Sequence, residues 1–305
     1  MSATKSSAVK LALVAVLGLV GLKVVVAVLT GSISIFAQTA DSFLDLLAIV
    51  ITFFAIGIAA KPADEGHPFG HGKVENISAV VQAVLIFAAS GLIIYSAVKR
   101  IISGDALEFT EAGIGVMVVS IVTSILLSRH LFRVSRATDS PALEAIAHNI
   151  AADVYSAAGV LVGLVVIRFT GFNILDPIVA LAVALIILKT AYNVLRKSFG
   201  GLIDIRLPEA EEAEIMACIK EHSGELVGFH ELRTRKAGSQ RYIDLHLVMH
   251  KNASLEGAHR ICDHLEQDLK SRLTNVSITI HVEPCSIECE QCSVSCDLRQ
   301  ERPSS

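Results

Sequence analysis

Residues 33–59 read ISIFAQTADSFLDLLAIVITFFAIGIA, an apolar stretch whose only charged side chains are Asp41 and Asp45. A stretch of about 20 apolar residues is enough for one transmembrane helix. An aspartate at the centre of such a helix costs roughly 2.5–3.5 kcal/mol. Because Asp41 and Asp45 are four positions apart, both carboxylates lie on one face of the helix. We therefore expect a membrane-spanning helix whose acidic face has a functional role.

The whole chain has the composition of a membrane protein that carries a soluble part. Of its 305 residues, 52% are hydrophobic and only 18% are charged, and the mean hydropathy is +0.59. The first apolar stretch follows Lys5 and Lys10 but lacks a signal-peptide cleavage pattern, so we expect it to be retained as a span. The apolar stretches predict six transmembrane helices, at residues 9–29, 33–59, 77–98, 112–131, 145–169 and 175–195.

The distribution of lysine and arginine predicts the orientation of the spans. One side of the predicted bundle receives ten of these residues: Lys5, Lys10, Lys61, Lys73, Arg129, Arg133, Arg136, Arg196, Lys197 and Arg206. The other side receives Lys99, Arg100 and Arg168. By the positive-inside rule, both termini lie in the cytoplasm. The short loops and the compact chain favour a bacterial inner membrane.

The chain becomes polar after Pro208, and the spacing of its apolar residues predicts the short helices and strands of a small soluble domain. Helices are predicted at residues 209–222 and 255–273, and strands at 229–235, 241–250 and 276–282. The order αββαβ predicts an α+β domain with both helices on one face of a three-stranded sheet. We therefore expect a transmembrane transport domain at 1–205, a cytoplasmic domain at 206–284 and a flexible cysteine-rich tail at 285–305.

The six cysteines predict thiols rather than disulfides, because the cytoplasm is reducing. Cys218 and Cys262 are isolated in the sequence. The other four could wrap one soft metal ion, although their spacing lacks the paired two-residue gaps of zinc ribbons, so metal binding by the tail stays open. These four cysteines are Cys285, Cys289, Cys292 and Cys296.

A second pair of oxygen-bearing side chains lies on the predicted fifth span. Asn149 and Asp153 are four positions apart, and the second and fifth spans run in opposite directions, so the two pairs can meet near the middle of the bilayer. Four such side chains would bind a divalent cation. Alternatively, the carboxylates are protonated or pair with an intramembrane base, for which Lys23 in the first span is the candidate.

Histidines suggest two further metal sites outside the bilayer. Asp64, His67 and His71 can converge in a glycine-containing loop between the second and third spans, although the loop could equally be a solvated turn. In the soluble domain, His246 lies on an alternating strand, and His281 and Glu283 share one face of another. Such residues can bind zinc-type ions, whereas most of the domain's histidines, among them His250 and His264, are expected to be ordinary surface residues.

Three segments, taken in order, resemble the cation diffusion facilitator family, most closely its bacterial iron/zinc efflux branch. They read SIFAQTADSFLD at 34–45, HPFGHGKVE at 67–75 and DVYS at 153–156. The resemblance extends over nearly the whole chain up to Pro284. It implies six helices that export a divalent metal ion in exchange for protons, followed by a metallochaperone-like domain that forms a homodimer and senses metal.

The resemblance also implies a role for particular residues. The transport site would consist of Asp41, Asp45, Asn149 and Asp153, and the loop site of Asp64, His67 and His71. The cytoplasmic site would use His230, His246, His259, His281 and Glu283, the last in place of the usual aspartate. Lys73 and Asp204 would interlock the two domains. No cofactor, no nucleic-acid partner and no enzymatic activity are expected.

One difference from the family pattern bears on the choice of metal. Zinc-handling relatives have a histidine where this chain has Asn149, and His148 lies about 100° away around the helix. An all-oxygen site favours manganese or ferrous iron over zinc. It also leaves proton exchange to the aspartates, because no imidazole is present.

Two other classes of protein are alternatives to a transporter: an intramembrane metalloenzyme and a metal-gated sensor or channel. An intramembrane metalloenzyme would use bound metal to activate water, often with a His-Glu-x-x-His motif that no predicted span contains. A metal-gated sensor or channel would place repeated acids around a pore, whereas the acids here come from two unlike helices. A transporter is the better reading of the sequence.

Overall fold

The fold is that of a computed structural model that describes residues 2–30, 33–103, 111–170 and 175–285. Side chains are described for residues 4–29, 39, 42–103, 115–159 and 177–285. The described chain divides into two compact units, which meet at the peptide bond after Leu202.

The first unit contains six long helices among its described residues. They are α1 (Ser2–Thr30), α2 (Ile33–Ala59), α3 (Lys73–Ser103), α4 (Glu111–Thr138), α5 (Pro141–Thr170) and α6 (Leu175–Leu202). Five of them, all except α5, contain described stretches that are long and apolar enough to cross a membrane. Part of the predicted fifth span, residues 145–169, lies outside the described side chains, so that span stays a prediction. The outward faces carry exposed apolar side chains such as Val14, Leu29 and Ile102, which lipid would cover in a membrane.

Two kinds of contact hold the helices of the first unit together. Branched apolar side chains from α1, α2, α4 and α5, including Val16, Ile49, Leu131 and Ile146, form the largest buried cluster of this unit. Helix α3 meets α5 and α6 partly through small residues such as Ala79 and Ala83 and partly through larger ones such as Ile86 and Ile187. Small residues let helices approach closely where lipid provides no hydrophobic drive for their association.

A buried ion pair joins the beginnings of three helices. Lys5 Nζ of α1 lies 2.6 Å from Glu75 Oε1 of α3, and both side chains are almost fully buried. The other carboxylate oxygen of Glu75 accepts a hydrogen bond of 2.5 Å from the hydroxyl of Ser140. Ser140 also accepts from the backbone N–H of Leu143, as expected of an N-cap before Pro141.

The second unit has the predicted αββαβ order. Its elements are α7 (Glu209–Glu221), β1 (Gly228–Ala237), β2 (Gln240–Met249), α8 (Leu255–Arg272) and β3 (Val276–Pro284). Strand β2 lies in the middle of the sheet, antiparallel to β1 and parallel to β3. A two-residue turn, in which Gly238 has a φ of 61°, joins β1 to β2. Ser254 accepts a hydrogen bond from the N–H of Gly257 and caps the start of α8.

The two faces of this sheet are chemically different. Ile243, Leu245 and Leu247 of β2 are buried against apolar side chains of α7 and α8, such as Ile215 and Leu265. Asp244 and His246 alternate with them and lie on the open face. Within residues 203–285, the helices therefore cover one face of the sheet and leave the histidine-bearing face open.

A β-bulge interrupts strand β1 at residues 231 and 232. His230 pairs with His246 and Arg233 pairs with Asp244, so two residues of β1 oppose one residue of β2. Glu231 in the bulge has a φ of 49°, an unusual conformation for a residue with a side chain. The extra residue allows His230 to lie on the open face while Leu232 packs against the core on the other.

Candidate metal-binding sites

The first candidate site lies between α2 and α5. Asn149 Nδ2 donates a hydrogen bond of 2.9 Å to Asp45 Oδ1. The helices therefore approach each other at the residues that the four-residue spacing singled out. Asp153 lies one turn beyond Asn149 on α5, and both Asp45 and Asp153 line one cavity of about 210 Å³. The side chain of Asp41 lies outside those that the structure describes.

Polar residues from α2, α4 and α5 complete the lining of this cavity, and the sequence had not assigned them to the site. Ser42, Ser120, Ser124 and Ser156 contribute hydroxyl groups. The hydroxyl of Ser120 is buried and has no hydrogen-bond partner among the described residues. A polar residue that recurs on the inward face of a predicted span would have been a weak signal for these positions.

Lys23 brings a positive charge to the same cavity. It lies on α1 within the first span, lines the cavity beside the two aspartates, and its ammonium donates a hydrogen bond of 2.7 Å to the hydroxyl of Ser42. The sequence had suggested Lys23 only as a partner that would make the carboxylates functionally silent. In the structure it is part of the cavity wall.

His148 points elsewhere. Its ring packs edge-on against Phe132 of α4, with ring centroids 4.8 Å apart. It is not among the described residues that line the cavity. The expected rotation of about 100° between adjacent helix positions explains this difference from Asn149.

The second candidate site is the loop between α2 and α3, where Asp64, His67 and His71 come together. One ligand atom from each lies within 4.8 Å of the others. The carboxylate of Asp64 is 3.1 Å from His67 Nδ1 and 3.3 Å from His71 Nε2. The N–H of His67 donates to the same carboxylate and holds the pKa of Asp64 below its ordinary value. Gly70, with a φ of 77°, allows the turn that brings His71 back toward Asp64.

The third candidate site lies on the open face of the sheet. Glu283 Oε2 is 3.2 Å from His230 Nε2, and Glu283 Oε1 is 2.9 Å from His246 Nδ1. His281 Nε2 lies 3.6 Å from the same carboxylate. The rings of His230, His246 and His281 form a row, with neighbouring centroids 5.1 and 4.7 Å apart. The parallel register of β2 and β3, in which His246 pairs with His281, produces this row.

Not every predicted residue joins these three groups. His259 lies on α8, and its imidazole contacts Asp263 one turn further along. The ammonium of Lys73 donates to the carbonyl of Leu202 within the first unit, whereas Asp204 pairs with Arg235 within the second. The interlock between Lys73 and Asp204 stays a prediction.

The tail cysteines fall mainly outside the described part of the chain. Cys285 is buried at the end of the second unit. Cys289, Cys292 and Cys296 lie outside the described residues. Whether the four thiols bind one ion therefore stays open as the sequence left it.

Cys218 lies apart from the other cysteines in the sequence, but two further metal-ligating side chains lie near it. Its sulfur lies near His222 of the same helix end and Asp268 of α8. The four-residue spacing of Cys218 and His222 was a signal that could have been recognised. The contribution of Asp268 could not, because it depends on how α7 and α8 pack.

Apolar helices of membrane-spanning length around a cavity lined by aspartates define an integral membrane protein with a cation-type site in its interior. Two family models match the chain: a cation efflux transmembrane domain over residues 9–203, and the cytoplasmic domain of cation efflux proteins over residues 207–285. The chain thus belongs to the cation efflux family, the cation diffusion facilitators, and is a divalent-metal efflux transporter.

Individual relatives agree with this assignment. The uncharacterized transporter sll1263 of Synechocystis is 33% identical over 270 residues, which cover 88% of this chain and 87% of that protein. The cation-efflux pump FieF of Salmonella typhimurium is 32% identical over 258 residues, which cover 85% of each chain. Two solved structures of CzrB, one in a zinc form, are 38% identical, with a TM-score of 0.26. They cover 26% and 28% of this chain, and 99% and 94% of their own.

Proposed function

We propose that the protein exchanges a divalent metal ion for protons by alternating access, with Asp41, Asp45, Asn149 and Asp153 as the transport site. The observation that carries the proposal is that Asp45 and Asp153 line one cavity within a helix bundle. A carboxylate within a membrane span is tolerated when a positive partner neutralises it. A metal ion and protons would fill that role in turn.

The hydrogen bond between Asn149 and Asp45 gives the nitrogen and the oxygen of the amide different roles. The nitrogen donates to Asp45 and so orients the carboxylate. The amide oxygen is the atom of Asn149 that can bind a metal ion. The resulting ligand set contains only oxygen, which favours manganese or ferrous iron over zinc.

Lys23 enters the proposal as the fixed positive charge of the cavity. When the metal ion leaves, the ammonium of Lys23 offsets part of the negative charge of the aspartates, so that fewer protons have to enter. When a metal ion binds, the same ammonium repels it and favours its release. Lys23 thus promotes release of the metal ion from the transport site.

The proposal includes the surroundings of the transport site. Helix α5 crosses the membrane as the fifth of six spans, the protein resides in a bacterial inner membrane, and both termini face the cytoplasm. The second unit mediates a homodimer and senses cytoplasmic metal through His230, His246, His281 and Glu283. The short distances between these residues and the shared carboxylate of Glu283 support a metal-binding role.

Transport in proteoliposomes tests the site directly. Asp45→Asn and Asp153→Asn keep the shape of each side chain and remove its charge, and each is expected to abolish metal uptake driven by a pH gradient. Glu144→Gln is the matched control, since Glu144 lies on α5 with Asp153 but pairs with Lys197 outside the cavity. Undiminished transport by both aspartate variants, in protein that elutes as wild type on gel filtration, would refute the assignment.

Selectivity tests the all-oxygen argument separately. Asn149→His supplies an imidazole ligand and is expected to raise zinc transport relative to manganese and iron transport. The assay is competition between these ions at one fixed pH gradient. An unchanged ratio would contradict the all-oxygen argument and leave the transport site itself standing.

A further inference from the structure

A cluster of three metal-ligating side chains lies at the junction of α7 and α8, within the second unit. Cys218 lies in the last turn of α7, His222 directly follows that helix, and Asp268 lies on α8. One ligand atom from each lies within 4.8 Å of the other two. We propose that Cys218, His222 and Asp268 form a binding site for a thiophilic divalent cation such as Zn²⁺, Co²⁺ or Cd²⁺.

His222 lies between a backbone carbonyl oxygen and a carboxylate. His222 Nδ1 lies 3.0 Å from the carbonyl oxygen of Cys218. A carbonyl oxygen can only accept, so Nδ1 carries the proton and donates it. In the neutral ring, Nε2 then presents a lone pair to the carboxylate oxygen of Asp268, 3.3 Å away. Two acceptors at that distance repel each other unless a proton or a metal ion lies between them.

The same hydrogen bond orients the ring as a metal ligand. Histidines that bind metal commonly donate their other N–H to a backbone carbonyl, which fixes both tautomer and ring orientation. His222 meets this condition before any ion arrives, and its side chain is only 11% exposed. The ring is therefore held with Nε2 toward Asp268.

The ligand set matches a borderline or soft divalent ion. A thiolate, a neutral imidazole and a carboxylate together carry two negative charges and would neutralise a divalent cation. Ligand atoms of a tetrahedral zinc site lie about 3.5 Å apart, given metal–ligand distances of about 2.0–2.3 Å. The spacing of this cluster is close enough for small side-chain rotations to reach that geometry. A water molecule can supply the fourth ligand on the side of Asp268, whose carboxylate is half exposed.

This site is separate from the histidine row on the sheet. The row lies on the open face of the sheet, whereas Cys218 is part of the buried core between the sheet and the two helices. The ligand sets also differ, because the sheet site contains no sulfur. The second unit could therefore respond to a thiophilic ion at one site and to another divalent ion at the other.

Burial raises the pKa of the Cys218 thiol, while nearby Arg272 partly opposes this effect. Because the thiolate is the metal ligand, binding of an ion at this site has to release the thiol proton.

Cobalt absorption of the full-length protein in detergent tests the proposal, with Co²⁺ alone as the probe. The background variant carries serine in place of Cys285, Cys289, Cys292 and Cys296, which leaves Cys218 and Cys262 as its thiols. A thiolate bound to Co²⁺ gives an intense near-ultraviolet charge-transfer band, whereas the oxygen and histidine sites do not. We expect this band to appear with one cobalt ion per chain.

Paired variants assign the band. Cys218→Ala should remove it, whereas Cys262→Ala should retain it, because Cys262 is also a buried cysteine but belongs to no group of metal-ligating side chains among the described residues. His222→Gln, at a partly exposed position, should weaken cobalt binding at least about tenfold, or about 1.4 kcal/mol. This second variant keeps the test valid if Cys218→Ala does not fold.

Two results would overturn the proposal. The first is a background protein that shows no charge-transfer band at saturating cobalt, since a proton alone would then join His222 to Asp268. The second is a band that survives Cys218→Ala or disappears in Cys262→Ala. Neither result bears on the proposed transport site, because the transport assay does not depend on this cluster.

Discussion

Two ion pairs of the first unit have the same length but very different surroundings. Lys5 and Glu75 lie 2.6 Å apart and are 7% and 4% exposed. Lys197 and Glu144 are also 2.6 Å apart but are 60% and 32% exposed. Replacing the glutamate of each pair by glutamine removes one charge and almost no volume. The comparison therefore isolates the effect of burial.

Burial should make the two substitutions differ by several kcal/mol. Glu75→Gln leaves the ammonium of Lys5 in a buried place without its charged partner, which typically costs about 3–5 kcal/mol. Glu144→Gln breaks a largely solvated pair and should cost at most about 1 kcal/mol. Replacing both Lys5 and Glu75 by methionine removes both buried charges, so the double variant should be more stable than Glu75→Gln.

Unfolding of the purified protein by denaturing detergent measures these differences. The free energy of unfolding of wild type, of both single variants and of the double variant is compared under one set of conditions. An equal decrease in the free energy of unfolding for Glu75→Gln and Glu144→Gln would refute the argument from burial. So would a double variant that is less stable than Glu75→Gln.

Further predictions concern packing and acid stability. A Cβ at Gly201 would lie 2.1 Å from Asn76 Nδ2, so Gly201→Ala should lower the free energy of unfolding by about 1–3 kcal/mol. Gly91→Ala, with nothing within 4 Å, should leave it unchanged or raise it by about 0.5–1 kcal/mol. Arg272 donates to Glu221 and holds the pKa of its carboxyl below the ordinary 4.5. That stabilisation is present above pH 4.5 and is lost as the pH falls through the lowered pKa. Circular dichroism of Arg272→Gln should therefore show a weaker fall in stability below pH 4.5, and an unchanged fall would contradict the pairing.

Local patterns in the sequence predicted much of the architecture. The αββαβ order of the second unit is confirmed, and its boundaries differ from the predicted ones by at most two residues. The four-residue spacing of Asn149 and Asp153 placed both on one face of α5, and the structure brings Asn149 against Asp45. Such features depend on the periodicity of one helix or strand, which a sequence displays directly.

Features that depend on packing between distant segments were not predictable in this way. Lys23 and Ser120 line the cavity because α1 and α4 pack beside α2 and α5. The sequence of α1 or of α4 does not indicate which helices it packs against. Asp268 reaches Cys218 for the same reason. His259, which the resemblance assigns to the cytoplasmic site, contacts Asp263 on its own helix, and its part in that site stays a prediction.

The bulge at Glu231 accommodates one residue more in strand β1 than the facing stretch of β2 contains. Deletion of Glu231 would close the bulge and leave His230 opposite His246 and Leu232 opposite Leu245, so that both side chains would keep their present faces of the sheet. Deletion of Leu232 would instead place Glu231 opposite Leu245, on the hydrophobic face. A change of length in this strand is therefore tolerated at residue 231 and costly at the next position.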